Sequence, residues 1–207
     1  MRVIDTGEMQ TRLPGSAVCL GYFDGVHRGH MALIEAAREI ADREGLMVCV
    51  HALDRSPAQV LHPERNIPQL TLPEDKIRLF DAAQVDVLAI TPFIDRVRRL
   101  PGKVFFEEIL LGKLNARVIV VGDDHRFGYR GDTGSEELRR MCEDAHVELR
   151  VVPRVRLADG SVISSSAIRA ALERGDLERA QEMLGRAPDA DMIRRCAGGQ
   201  REAVETL

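Results

Sequence analysis

Two histidines three residues apart, His27 and His30, stand in the run GYFDGVHRGH from Gly21 to His30. Imidazoles suit phosphoryl chemistry because they donate hydrogen bonds to charge growing on non-bridging oxygens, and a protonated ring adds a compensating positive charge. If a helix starts near His27, the spacing puts both rings on one face, where they can reach the same phosphate. Gly21 and Gly25 permit tight or left-handed backbone. Gly29 lets an anion approach the unpaired amides at the positive end of the helix dipole. The pair also fits two blander readings, histidines on a helix surface or two ligands of a metal, although no third His or Cys lies nearby to complete a zinc set.

A second cluster, VISSSAIR from Val162 to Arg169, sets three hydroxyls at a helix start, Ser164, Ser165 and Ser166, with a guanidinium three residues on. Such a start offers side-chain and backbone donors to an anion, and Arg169 adds a planar fork suited to the β and γ phosphates. An ordinary helix cap with a solvated arginine fits the same residues. A third run, VVGDDHRFG from Val120 to Gly128, places a Gly- and Asp-rich turn after a β-branched strand, which on spacing alone is a plain loop.

Short apolar runs alternating with amphipathic stretches predict an α/β domain, a mainly parallel sheet with helices on both faces. Strands are expected at Ser16 to Leu20, Leu46 to His51, Val85 to Ile90, Arg117 to Val121 and Val147 to Val152. Helices are expected at Met31 to Arg43, closed by Gly45, then at Pro73 to Ala83, Pro101 to Leu114, Ser135 to Ala145, Ser166 to Arg174 and Leu177 to Leu184. A long loop carries Pro57, Pro63 and Pro68. Each motif then falls at the carboxyl end of a strand or at a helix start, where open parallel sheets bind ligands.

The 207 residues, 44% hydrophobic, suffice for one substantial core. A net charge of -4 argues against a generally basic nucleic-acid binder, while leaving room for a local cationic pocket. Cys19, Cys49, Cys142 and Cys196 are widely separated with no CxxC spacing, as expected of reduced thiols in a cytoplasm. The N-terminus has no apolar export core, and no apolar stretch approaches the roughly 20 residues of a membrane span.

The run GYFDGVHRGH resembles the GxFDGxHxGH signature of the HxGH nucleotidyltransferase superfamily, and VISSSAIR is similar to the ISSTxIR motif of bacterial FAD synthetases, with Ser166 where Thr is usual. VVGDDHRFG resembles the VVGxDFxFG segment of the same enzymes, and ALERGDLERAQEMLGR, Ala171 to Arg186, their LxxGDxxxAxxLLGR stretch. The resemblance implies a Rossmann-like FMN adenylyltransferase (FAD synthetase) domain of the bifunctional riboflavin kinase/FAD synthetase family, covering about Gly15 to Gly185. It implies in-line attack of the FMN phosphate on Mg-ATP, giving FAD and pyrophosphate.

By that match His27, His30 and Arg169 are catalytic, and Gly21, Phe23, Asp24, Gly29, Ser164, Ser165 and Ser166 bind ATP. Asp54, Pro57, Gly122, Asp124, Phe127 and Gly128 are the implied flavin contacts. Magnesium is implied by the substrate's phosphates rather than by a ligand cluster. Three positions depart from the family pattern: Ser56 in ALDRSP, where TFDPHP has His; Tyr22, where Asn is usual; and His125, where Phe is usual. They keep two alternatives open, adenylyl transfer to another phosphorylated small molecule and a nucleotide- or flavin-binding homologue without turnover. The expected organisation is a nucleotidyltransferase domain over residues 1–186 and a tail over 187–207, with no riboflavin kinase barrel, so that a separate kinase would supply FMN.

Overall fold

A computed structural model describes residues 1–198. Their elements run β1 (Arg2–Asp5), β2 (Ser16–Leu20), α1 (Arg28–Glu44), β3 (Met47–Leu53), α2 (Pro57–Leu61), α3 (Pro73–Ala82) and β4 (Val87–Thr91). There follow α4 (Asp95–Arg98), α5 (Gly102–Phe105) with a π-type continuation over Phe106–Lys113, β5 (Ala116–Gly122), α6 (Ser135–Asp144), β6 (Glu148–Val152), α7 (Ser165–Glu173), α8 (Leu177–Leu184) and α9 (Ala190–Ala197). Single 3-10 turns occupy Pro63–Arg65 and Tyr129–Gly131.

The six strands of the described residues form one sheet in the order β1-β4-β3-β2-β5-β6, every pair parallel. The expectation of a mainly parallel α/β sheet is met. β2 lies between β3 and β5 and is buried over its whole length, which is why SAVCL is apolar without alternation. Ala17 and Cys19 face a core layer containing Ile34 and Ile40 of α1 and Phe80 of α3. Val18 and Leu20 face the opposite layer, with Phe105, Leu110, Leu138 and Cys142. A third apolar cluster joins Leu70 to Ile168 and Leu172 of α7, Met183 and Leu184 of α8, and Met192 and Cys196 of α9. From β2 the chain winds outward through β3 to β4, then crosses back to β5 on the other side of β2, so the winding direction reverses between β2 and β5 and a crevice opens at their carboxyl ends.

Gly45 ends α1 in the left-handed region at φ 65°, as its position suggested. Other stretches differ from the sequence expectation. The proline-bearing loop contains α2, where Pro57 occupies the first turn and the Ser56 side chain accepts from the Gln59 amide at 3.3 Å. The expected single helix over 101–114 widens at Phe106, and Leu114 N–H bonds Ile109 O at 2.9 Å, five residues back. That wider turn keeps Phe105, Ile109, Leu110 and Leu114 buried on one side. β1 and α4 were not expected. Within the stretch expected to be a tail, residues 190–197 form α9, whose Met192 and Cys196 are buried; residues 199–207 lie outside the described residues.

Candidate active site

The loop between β2 and α1 is held in a conformation that ordinary residues resist. Phe23, Gly25 and Val26 all have positive φ, at 57°, 87° and 40°, and for a β-branched valine this is a strained angle. Several ties hold it. Asp24, 2% exposed, accepts from the amides of Leu70 and Thr71 at 3.0 and 3.1 Å, while Thr71 Oγ1 accepts from Gly25 N–H at 3.1 Å. Arg186 forks onto the carbonyls of Gly25 and Val26 at 2.7 and 3.0 Å. Phe23, fully buried, packs edge-on against Phe80 and behind His30.

His27 is the N-cap of α1, and the two histidines cap one another. His27 Nδ1 accepts from His30 N–H at 3.4 Å, and His30 Nδ1 from His27 N–H at 3.3 Å. Their rings stack with centroids 3.6 Å apart and 15° between planes. Gly29 makes this possible, since a Cβ there would come within 3.1 Å of the His27 ring. With each Nδ1 accepting, each neutral ring carries its proton on Nε2, so the pair offers two Nε2–H donors beside the first-turn amides of α1. Burial, then Arg186, pushes His27 down to about 4; burial, then His27 and Lys76, holds His30 well below its usual value. The rings are therefore neutral donors at pH 7, not the imidazolium cations that the residue types also allowed. Nor are they free surface histidines, since His27 is only 6% exposed.

The Ser-rich motif reaches the same loop. Ser165 Oγ donates to Asp24 O at 2.8 Å, and Ser164 caps α7 by accepting from Ala167 N–H at 3.2 Å, while Ser166 is exposed. Arg169 donates from Nε to Pro68 O at 2.7 Å and pairs through Nη2 with Asp24. Two of its three guanidinium nitrogens thus tie the loop together, which differs from the free anion fork expected of it. Gly21 donates its amide to His51 O at 3.4 Å, at the mouth of the crevice.

Next to Gly21 opens a cavity of about 930 Å³ between the segments following β2, β3, β4 and β5. Three of the six residues expected to contact flavin, Pro57, Phe127 and Gly128, line it. The other three lie elsewhere. Asp54 borders a smaller cavity of about 110 Å³ with Tyr22, Gln69 and Lys76, and accepts from Phe93 N–H at 2.7 Å. Gly122 ends β5, its carbonyl accepting from His125 N–H, and Asp124 is exposed and paired with Arg154 at 3.5 Å.

The larger cavity also gathers residues that sequence reasoning passed over. Phe93, Phe105 and Tyr129 supply aromatic surface, and Arg98, Arg99, Arg126 and Arg130 supply positive charge. Such a wall suits a planar ring bearing an anionic group. The signal was present in the interleaved basic and aromatic run HRFGYR after β5, and in RVRR at 96–99. His51 and His125 complete the floor. His51 Nε2 meets Thr91 Oγ1 at 2.8 Å, and Thr91 in turn meets Thr6 Oγ1 at 2.6 Å. His125 Nε2 is enclosed with no hydrogen-bond partner among the described residues, and burial pushes each ring down to about 4. Tyr22 stacks under Lys76 Nζ at 4.0 Å and accepts from Gln69 at 3.0 Å; burial, then Asp24, raises its hydroxyl to about 12. Burial likewise depresses Lys76, against the pull of Asp24.

No helix among the described residues is long and apolar enough to cross a membrane. The family model described as FAD synthetase matches residues 9–167. A Bacillus subtilis bifunctional riboflavin kinase/FMN adenylyltransferase is 34% identical over 82% of this chain and 53% of that protein. A Listeria monocytogenes protein of the same description is 32% identical over 81% of this chain and 53% of its own length. The chain thus spans about half the length of these curated relatives, whereas a Geobacillus thermodenitrificans relative, 34% identical, is matched over 91% of its length. Among solved structures, a chain titled macrolide-efflux protein from Streptococcus pneumoniae superposes with a TM-score of 0.79 at 28% identity, covering 91% of this chain and 72% of that one. With the match running through the histidine loop, the cavity loops and the Ser-rich helix start, this chain belongs to the FAD synthetase family.

Proposed function

We propose that the protein transfers the adenylyl group of ATP to FMN, giving FAD and pyrophosphate. The observation that carries this reading is the reciprocal capping of His27 and His30, which presents two Nε2–H donors beside a helix N-terminus, next to an aromatic and arginine-lined cavity. An FMN phosphate oxygen attacks the α-phosphorus of ATP; the new P–O bond forms as the α–β bridge breaks, and pyrophosphate departs. No covalent enzyme intermediate is required, so the chain's part is to position the reactants and oppose growing charge. His27 and His30 donate to the α-phosphate oxygens, the free amides of α1 face the same charge, and the isoalloxazine ring stacks among Phe93, Phe105 and Phe127. ATP enters as its magnesium complex. Magnesium would be held there mainly by phosphate and water oxygens. The FMN consumed is the product of a riboflavin kinase reaction.

A second reading changes only the acceptor. Tyr22 and His125 line the cavity where the family carries Asn and Phe, and Ser56, in the place of a family histidine, is occupied as the cap of α2. Purified protein given Mg-ATP and FMN is expected to produce FAD and pyrophosphate in equal amounts. Pyrophosphate release with another phosphate monoester and none with FMN would overturn the first reading in favour of the second. Tight ligand binding without turnover would overturn both.

A further inference from the structure

We infer that Arg195, on α9 and beyond the stretch matched to the family, is a positioning residue for the nucleotide loop. Its Nε donates to Gln69 O and its Nη2 to Leu70 O, both at 3.0 Å, a fork across two successive carbonyls. The segment from Pro68 to Thr71 is a crossbeam. Its carbonyl side is held by two arginines from separate helices, Arg169 on Pro68 and Arg195 on Gln69 and Leu70. Its amide side holds the catalytic loop, through Leu70 and Thr71 N–H on Asp24 and Thr71 Oγ1 on Gly25. Leu70 is also wedged against the loop backbone, since a Cβ on Gly25 would come within 2.9 Å of its side chain.

Asp24 to Val26 leads directly into the N-cap His27, so the orientation of the histidine pair depends on a beam that α9 pins from outside the catalytic motifs. α9 is seated for this by Met192 and Cys196, buried in the cluster that also contains Leu70. A fork on two carbonyls demands a guanidinium. Lysine offers one compact charge and can satisfy one of them well.

The inference rests on the adenylyl-transfer reading for its kinetic arm and is independent of it for its structural arm. In the structural arm, amide hydrogen exchange is compared for wild type, Arg195→Met and Arg195→Lys in the full chain. Peptides spanning residues 20–30 and 66–73 are expected to exchange about tenfold faster in Arg195→Met, with Arg195→Lys between it and wild type and the β2 and β5 peptides unchanged. In the kinetic arm, the KM for ATP is expected to rise about tenfold, the lower end of what losing charge-assisted hydrogen bonds removes, while the KM for FMN stays within twofold. Unchanged exchange at both loops overturns the inference, as does acceleration spread evenly over the sheet, which would mark a purely structural residue. Equal rises in both KM values overturn it as well. If wild type makes no FAD, the proposed function fails, and the exchange data alone decide the role of Arg195.

Discussion

His27 and His30 owe their neutrality to the enclosure that stacks them, and that fixes what they can do. A neutral ring whose Nδ1 is occupied by a backbone amide is a permanent Nε2–H donor, so the phosphate role proposed for it requires no proton uptake. His27→Ala should lower kcat for FAD formation by about 100-fold or more, the usual cost of one well-placed oxyanion donor. A loss within threefold in steady-state assays would remove His27 from the chemistry. His125 makes the opposite kind of statement. Its Nε2 is enclosed and unpartnered, and such a group costs on the order of 1–3 kcal/mol. Replacing it by the family's residue, His125→Phe, should therefore raise stability by that amount, read as a higher urea midpoint at pH 7; an unchanged or lower midpoint would show that the ring's polarity is satisfied in solution. The histidine pair was legible in the sequence because of its company: an HxxH pair alone fits a helix surface equally well, but the glycines around it, the strand before it and the resemblance of the whole run to the HxGH signature point to a phosphate site. Asp24 was legible only as a position. Its work as a tie for two amides and an arginine depends on residues 46 to 145 positions away, a distance that no local pattern carries.

At the scale of elements, the long periodic helices and the buried strands followed from apolar spacing, because there the local pattern and the tertiary demand coincide. The misses share a physical character: they are short or irregular. α9 has two turns, and its apolar Met192 and Cys196 acquire meaning only against Leu70 and α7. The π-type turn at Phe106–Lys113 serves a stripe that a regular 3.6-residue period cannot keep aligned. β1 contributes four residues at a sheet edge, too few for alternation to register. The element that matters most for the site is the junction after α8. There Gly185 turns the chain at φ 74° and delivers Arg186 to the carbonyls of Gly25 and Val26. The similarity to the LGR stretch marked this arginine without giving it a task, and the structure supplies one: it pins the strained turn that aims His27. Arg186→Lys keeps a charge but loses the fork, and should cost on the order of 1.5–3 kcal/mol of stability by chemical denaturation. A change below about 0.5 kcal/mol would mean that the turn holds its conformation without the fork.

Across the whole molecule, the buried histidines make stability a function of pH with a definite sign. His27, His51 and His125 are each pushed down to about 4, and His30 lies well below its ordinary value, in every case chiefly through burial. An unfolded histidine titrates near 6.5, so between about 6.5 and 4 the unfolded chain binds protons that the folded chain excludes. Unfolding then takes up protons, and stability, fully present above about 6.5, falls as the pH drops through that window. Each histidine engaged contributes a slope of up to about 1.4 kcal/mol per pH unit. Asp159, brought to about 2 by Ser161 and then Arg179, has its window below about 4, outside that of the histidines. The urea midpoint at pH 5 should therefore lie clearly below that at pH 7, and His125→Phe, with one group fewer to protonate, should show a shallower fall. A midpoint that held constant or rose between pH 7 and pH 5 would mean that these rings take up protons in the folded state. The neutral Nε2–H donors assigned to His27 and His30 would then have to be replaced by cations.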